Sequence, residues 1–134
     1  MQRIAAITGF SGAGKTTLIV ELIRRYVAAG HRVAAIKHTH HKLNAERRGD
    51  TERFLEAGAD PVVFADAQRA VTFTRDGEPG WRTYEKPEDL VPEADIVLVE
   101  GFKQHGPWPQ VTIEAERRPT VDELAGILDR IWRP

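Results

Sequence analysis

Gly9-Phe10-Ser11-Gly12-Ala13-Gly14-Lys15-Thr16 fits the pattern G-x-x-x-x-G-K-[ST] at every fixed position. Its surroundings are those the pattern needs. Residues 4–8 are a short β-rich apolar run, and residues 15–29 carry Leu18, Ile19, Leu22, Ile23, Tyr26 and Val27 on one helical face before Gly30 stops the helix. A strand entering and a helix leaving put the turn's backbone N–H groups at a helix N-terminus. Partial positive charge accumulates there, and glycines let phosphate oxygens approach closely. In this reading Gly9, Ser11, Gly12, Ala13, Gly14, Lys15, Thr16 and Thr17 surround the phosphates. Lys15 meets the β and γ oxygens and the Thr16 hydroxyl holds Mg2+. No G-x-G-x-x-G reads through Gly12 and Gly14, which disfavours a dinucleotide-binding fold.

Outward from this turn the chain alternates short apolar runs with helical patterns. Residues 32–37 read as the second strand, 50–57 as a helix stopped by Gly58, and 62–65 as the third strand. Residues 71–74 and 81–84, joined by the turn-rich stretch 75–80, read as a small β-ribbon. The unbroken apolar run 96–99 is a buried strand, 111–113 a shorter one, and 121–131 a closing helix whose Thr120 and Glu123 form a capping box. The expected fold is α/β of the P-loop NTPase type, a three-layer sandwich with a mostly parallel sheet and a small ribbon.

A Mg-triphosphate site also needs an acid at the end of a neighbouring strand, and the run 95–100 has one at each end, Asp95 and Glu100. Five extended residues span about 16 Å, and ligands of open α/β sheets bind at the carboxyl ends of the strands. Glu100 is therefore the expected metal acid, with Gly101 turning the chain beside the γ-phosphate, and Asp95 caps the strand entrance. Lys37-His38-Thr39-His40-His41 follows the second strand at the same edge. His38 and His40 share a side if the chain stays extended; phosphate or partner contact, a plain polar loop and a metal site are the readings, in that order. Asp50 opens the next helix, as an N-cap and as an acid that orients water around Mg2+ or near the γ-phosphate. The catalytic set is Lys15, Asp50 and Glu100, the metal set Thr16, Asp50 and Glu100, and His38 and Gly101 join the loop as nucleotide contacts.

The remaining composition bounds the possibilities. The 134 residues, 41% hydrophobic and 29% charged, suffice for one compact domain, taken as residues 1–134. A net charge of -1 shows no bulk excess for nucleic acid or anionic membrane. No run is long enough for a membrane span, and the N-terminus lacks a signal-peptide pattern, so a cytoplasmic location is expected. The absence of cysteine removes disulfides, thiolate zinc sites and thiol nucleophiles together.

From residue 4 to about 113 the chain resembles the molybdopterin-guanine dinucleotide biosynthesis adapter proteins, the MobB family of P-loop GTPases. The resemblance rests on Gly9 to Thr17, on Ile36-Lys37-His38-Thr39-His40-His41, on Gly49-Asp50-Thr51 followed by Ala57-Gly58-Ala59, and on Val97-Leu98-Val99-Glu100-Gly101-Phe102-Lys103. It implies a homodimer that binds GTP with Mg2+, hydrolyses it weakly, and assists the guanylyltransferase that attaches GMP to molybdopterin. Guanine as the base comes from the resemblance alone; no Asn-Lys-x-Asp is present and Asn44 is the only Asn. Two departures stand out. The family commonly has Gly-Lys-Asp where this chain has Gly49-Asp50, and only residues 115–119 separate Ile113 from the closing helix, which shortens the segment expected around the base.

Two other classes share part of this pattern. A P-loop small-molecule kinase needs an acceptor pocket and an Arg-rich lid, whereas Arg47, Arg48 and Arg53 fall on one loop and helix. A metallochaperone GTPase would use His38, His40 and His41 but lacks the soft cysteine ligands. Phe102, Trp108, Trp81 and Tyr84 are aromatic residues beyond a minimal core, available either to a dimer or partner face or to cover the ends of the sheet.

Overall fold

In the computed structural model, residues 2–9, 14–40, 43, 49–102 and 106–134 are described. They form β1 (Arg3–Gly9), α1 (Lys15–Ala28), β2 (Val33–His38), α2 (Asp50–Ala57), β3 (Val62–Ala65), β4 (Arg69–Phe73), β5 (Gly80–Thr83), β6 (Ile96–Glu100), β7 (Gln110–Ile113) and α3 (Val121–Trp132). The strands make one sheet in the order β5-β4-β3-β2-β6-β1-β7. From β3 to β7 all neighbours are parallel, while β4 and β5 join antiparallel. This is the expected α/β arrangement.

Alternation along the central strands separates two cores. Ala5, Ile7, Val33, Ala35, Ile96 and Leu98 face the helices, where Leu18, Ile19, Leu22 and Ile23 of α1 and Phe54 of α2 meet them. Ala6, Ala34, Ile36, Val97 and Val99 face the other way. That side is covered by Leu90 of a 3-10 turn (Pro87–Leu90), by Phe102 and by the partly buried Trp108. Among the described residues the third layer is thus built from a 3-10 turn and loops, with all three α-helices on the opposite face. The polar 3-10 segment is too short to repeat an amphipathic stripe, but one leucine and two aromatic rings fill the same role.

The expected small ribbon, β4 and β5, extends the main sheet at its β3 side. Its first strand begins earlier than the apolar run, because the Asp66 carboxylate accepts the backbone N–H groups of Gln68 at 2.9 Å and Arg69 at 2.7 Å and sets the turn into β4. Those N–H groups hold the Asp66 carboxyl below its ordinary pKa, Gln68 first, against the opposing effect of burial. The closing helix carries the expected box, with Thr120 and Glu123 exchanging side-chain to backbone bonds of 3.1 Å. Asp50 is not an N-cap: Gly49 occupies that position with φ 61°, and Asp50 is the first helical residue. No helix among the described residues is long and apolar enough to cross a membrane.

Candidate functional site

The two central strands put a cation and an anion side by side. Lys37 of β2 and Glu100 of β6 are register partners, each two residues beyond an apolar side chain that faces the helices, Ala35 and Leu98. Alternation therefore points both toward the N-terminus of α1, where Thr16 lies. The Lys37 ammonium donates to Glu100 Oε2 at 2.6 Å and also to Asp50 Oδ2. The Thr16 hydroxyl lies 2.9 Å from Glu100 Oε1 and 3.2 Å from Asp50 Oδ2. Its single proton serves one carboxylate at a time. Glu100 is buried, at 7% exposure, which a carboxylate tolerates only when paired. Burial pulls the Lys37 ammonium toward a lower pKa, but its hydrogen bonds to Asp50 and Glu100 outweigh this and raise it above the ordinary value.

The structure brings Lys15, Thr16, Asp50 and Glu100 together at the carboxyl edge, as the strand-end argument requires. The Lys15 ammonium donates to the Gly9 carbonyl at 2.7 Å. Thr17 accepts from Arg53 Nη2 at 3.3 Å. Ser11, Gly12 and Ala13, proposed as phosphate contacts, lie outside the described residues, as do Arg47, Arg48 and His41. Asp95 sits at the opposite edge, its carboxylate accepting the Arg32 N–H at 2.8 Å.

Glycine is required at Gly9, where φ is 148° and a Cβ would stand 2.6 Å from the Ile113 carbonyl oxygen, and at two further points of the site. Gly14 caps α1 with φ 85°, and a Cβ there would stand 2.6 Å from Cζ of Arg118. Gly101 has φ 110°, and its Cβ would meet the His38 Cβ at 2.8 Å. The next residue, Phe102, adopts φ 55° without being glycine. A conformation that uncommon for a bulky side chain is held by its surroundings: the ring stacks on His38 at 4.2 Å and meets Trp108 edge-on at 6.0 Å. His38 also meets His40, with ring centroids 5.3 Å apart. His38 and His40 therefore form part of an aromatic wall, a role that their spacing alone did not reveal. Among the described residues no group of three or more His, Cys, Asp or Glu is placed to hold a metal.

Two cavities flank the ion cluster. One of about 430 Å³ is lined by Gly9, Lys15, Lys37, His38, Gly101 and Phe102, among others. The other, about 250 Å³, lies along the first turn of α1 beside Thr16, Thr17, Asp50 and Arg53. Two carboxylates and a hydroxyl converging from three elements are hard oxygen donors, the chemistry that suits Mg2+ in company with phosphate oxygens and water. The donor set fits that ion.

Residues 4–126 match the family described as Molybdopterin guanine dinucleotide synthesis protein B, MobB. The molybdopterin-guanine dinucleotide biosynthesis adapter protein of Haemophilus influenzae is 37% identical over 125 residues, covering 90% of this chain and 70% of that protein. That of Escherichia coli is 37% identical over 103 residues, covering 75% of this chain and 59% of that protein. The crystal structure of Bacillus subtilis MobB aligns with TM-score 0.51 and 26% identity, over 92% of this chain and 72% of that one. A MobB homologue from Bacillus stearothermophilus aligns with TM-score 0.50 at 22% identity, over 84% and 63% of the two chains, a likeness of fold.

Proposed function

The chain belongs to the MobB family, and from that premise we propose that it is a Mg2+-dependent GTP-binding adapter with weak GTPase activity, serving the guanylation of the molybdenum cofactor. The observation that carries this reading is the meeting of Thr16, Asp50 and Glu100 at the carboxyl edge of the sheet, in a cavity that Lys15 also lines. In the proposed complex the loop from Gly9 to Thr17 wraps the phosphates, as its sequence pattern requires. Lys15 leaves the Gly9 carbonyl for the β and γ oxygens, a short swing for a four-carbon stem. Thr16, Asp50 and Glu100 hold the metal ion, which when bound neutralises phosphate charge and polarises the oxygens it touches. Asp50 also orients water, and His38, fixed by the Phe102 ring, faces the γ-phosphate side with Gly101 beside it.

The chain acts as one domain over residues 1–134, as a homodimer, with a molybdenum cofactor guanylyltransferase as partner and a cytoplasmic location. Guanine preference follows from the family relationship. Hydrolysis by the chain alone is slow, because an arginine supplied by a partner accounts for roughly 10³–10⁵ of the rate in assisted GTPases. Calorimetric titration with GTP, ATP and their diphosphates, with and without Mg2+, tests the reading. GTP binding strengthened by Mg2+ is the expected result, and no detectable binding of any nucleoside triphosphate overturns it.

A further inference from the structure

The acids that suit a divalent cation already hold a cation. Lys37 donates to Glu100 Oε2 at 2.6 Å and to Asp50 Oδ2, and Thr16 touches the other oxygen of Glu100 and the same oxygen of Asp50. An ammonium and a divalent ion competing for the same oxygens repel each other at close range, with little water between them to screen the charges. The side chain is also placed where an exchange needs it. Lys37, Glu100 and Lys15 line both cavities, so Lys37 stands on the wall between the carboxylate pocket and the larger one, which also holds His38 and Gly101. Rotation about its flexible stem transfers the charge from one cavity to the other without moving β2.

We propose that Lys37 is an internal counter-cation: it neutralises Asp50 and Glu100 in the metal-free chain, yields them to Mg2+, and then turns its ammonium into the larger cavity beside Lys15, where it meets the terminal phosphate. The first half stands on the ion cluster alone, while the second rests on the nucleotide-binding reading. Lys37 is thus a positioning residue before the metal arrives and a phosphate contact afterwards. The exchange makes metal and triphosphate bind cooperatively, since the cation expelled from the acids has its new partner only when a terminal phosphate is present.

Two measurements on the full chain test this. In wild-type protein without nucleotide, acylation of individual lysine amines is followed by mass spectrometry as Mg2+ is added. Modification of Lys37 should accelerate several-fold while that of Lys86, outside the cluster, stays constant; unchanged or slower modification of Lys37 overturns the proposal. In parallel, Lys37→Met should bind Mg2+ alone at least about tenfold more tightly than wild type, because the internal competitor is gone. Equal or weaker Mg2+ affinity overturns it. With Mg2+ present, wild type should prefer GTP to GDP by a larger factor than Lys37→Met does; an identical preference removes the phosphate contact. If wild type binds no nucleotide yet the two Mg2+ results hold, the nucleotide reading falls and the counter-cation stands.

Discussion

β6 is preceded by one acid and ends with another, and the two carboxylates do different work. Asp95, at the amino end, accepts the Arg32 backbone N–H at 2.8 Å and secures the entrance to β2. Glu100, at the carboxyl end, is buried and meets a threonine hydroxyl and a lysine ammonium from two other elements. Both side chains end in a carboxylate; direction decides. In a parallel sheet the strand ends that lead into helix N-termini collect unsatisfied N–H groups and partial positive charge, so that edge recruits anions. At the other edge Asp95 serves the backbone.

The largest expected effect removes the cation of the active edge. Lys15→Ala should abolish measurable triphosphate affinity in calorimetry while the unfolding midpoint stays close to wild type, because Lys15 lines both cavities of the site and is not part of either hydrophobic core. Retained affinity breaks the assignment of this edge to phosphate.

Next, Glu100→Gln against Asp95→Asn sets the two ends of β6 in direct competition. Glu100→Gln should weaken Mg2+-dependent binding by about tenfold or more, whereas Asp95→Asn leaves it unchanged within error. Its cost in stability falls below the roughly 3–5 kcal/mol of a stranded buried charge, since Lys37 retains Asp50. The reverse ranking in metal-dependent binding would contradict the direction argument outright.

A smaller effect tests the backbone that shapes the active edge. Gly101→Ala forces a side chain into φ 110° and against His38, and should lower stability by about 1–3 kcal/mol in urea denaturation. A matching substitution at Gly80, where nothing lies within 4 Å of the Cβ position and β5 is exposed, should change little. Equal costs at both positions would show that the tight turn after Glu100 does not depend on glycine.

The sequence made the active edge readable because its parts are local. The loop, its flanking strand and helix, and the acid at a strand end each follow from spacing within a few residues. What stayed hidden depends on contacts between distant residues. Lys37 reads as the polar end of a strand until β6 is placed beside β2 and Glu100 becomes its register partner. Phe102 reads as a loop aromatic, but its left-handed backbone and its stack on His38 make it part of the site wall. The ribbon likewise reads as an appendage because hydrophobic alternation says nothing about which neighbour a hairpin finds. The antiparallel pairing of residues 62–65 with 70–73 joins it to the sheet.

The smallest effect concerns a third rim, the lateral edge made by β5. All four residues of β5 are exposed, and Trp81 is 44% exposed with the Arg69 guanidinium 5.2 Å from its ring centroid. Trp108, by contrast, packs against Phe102 and the core on the sheet face opposite the helices. A tryptophan on an unpaired strand edge is the kind of residue that anchors an interface, and one folded onto its own domain is not. Dimerisation therefore assigns opposite outcomes to the two. Sedimentation of the wild type should give a concentration-dependent mass approaching twice the 15.0 kDa of the monomer. Trp81→Ala should shift that equilibrium toward monomer by about tenfold, the loss of roughly 1.4 kcal/mol at the contact, with little change in unfolding midpoint. Trp108→Ala should do the reverse, lowering the midpoint and weakening nucleotide binding through Phe102 and His38 while leaving the monomer–dimer equilibrium in place. A wild type that stays monomeric at every concentration, with or without GTP and Mg2+, would remove the dimer and leave β5 as a plain solvent-facing edge.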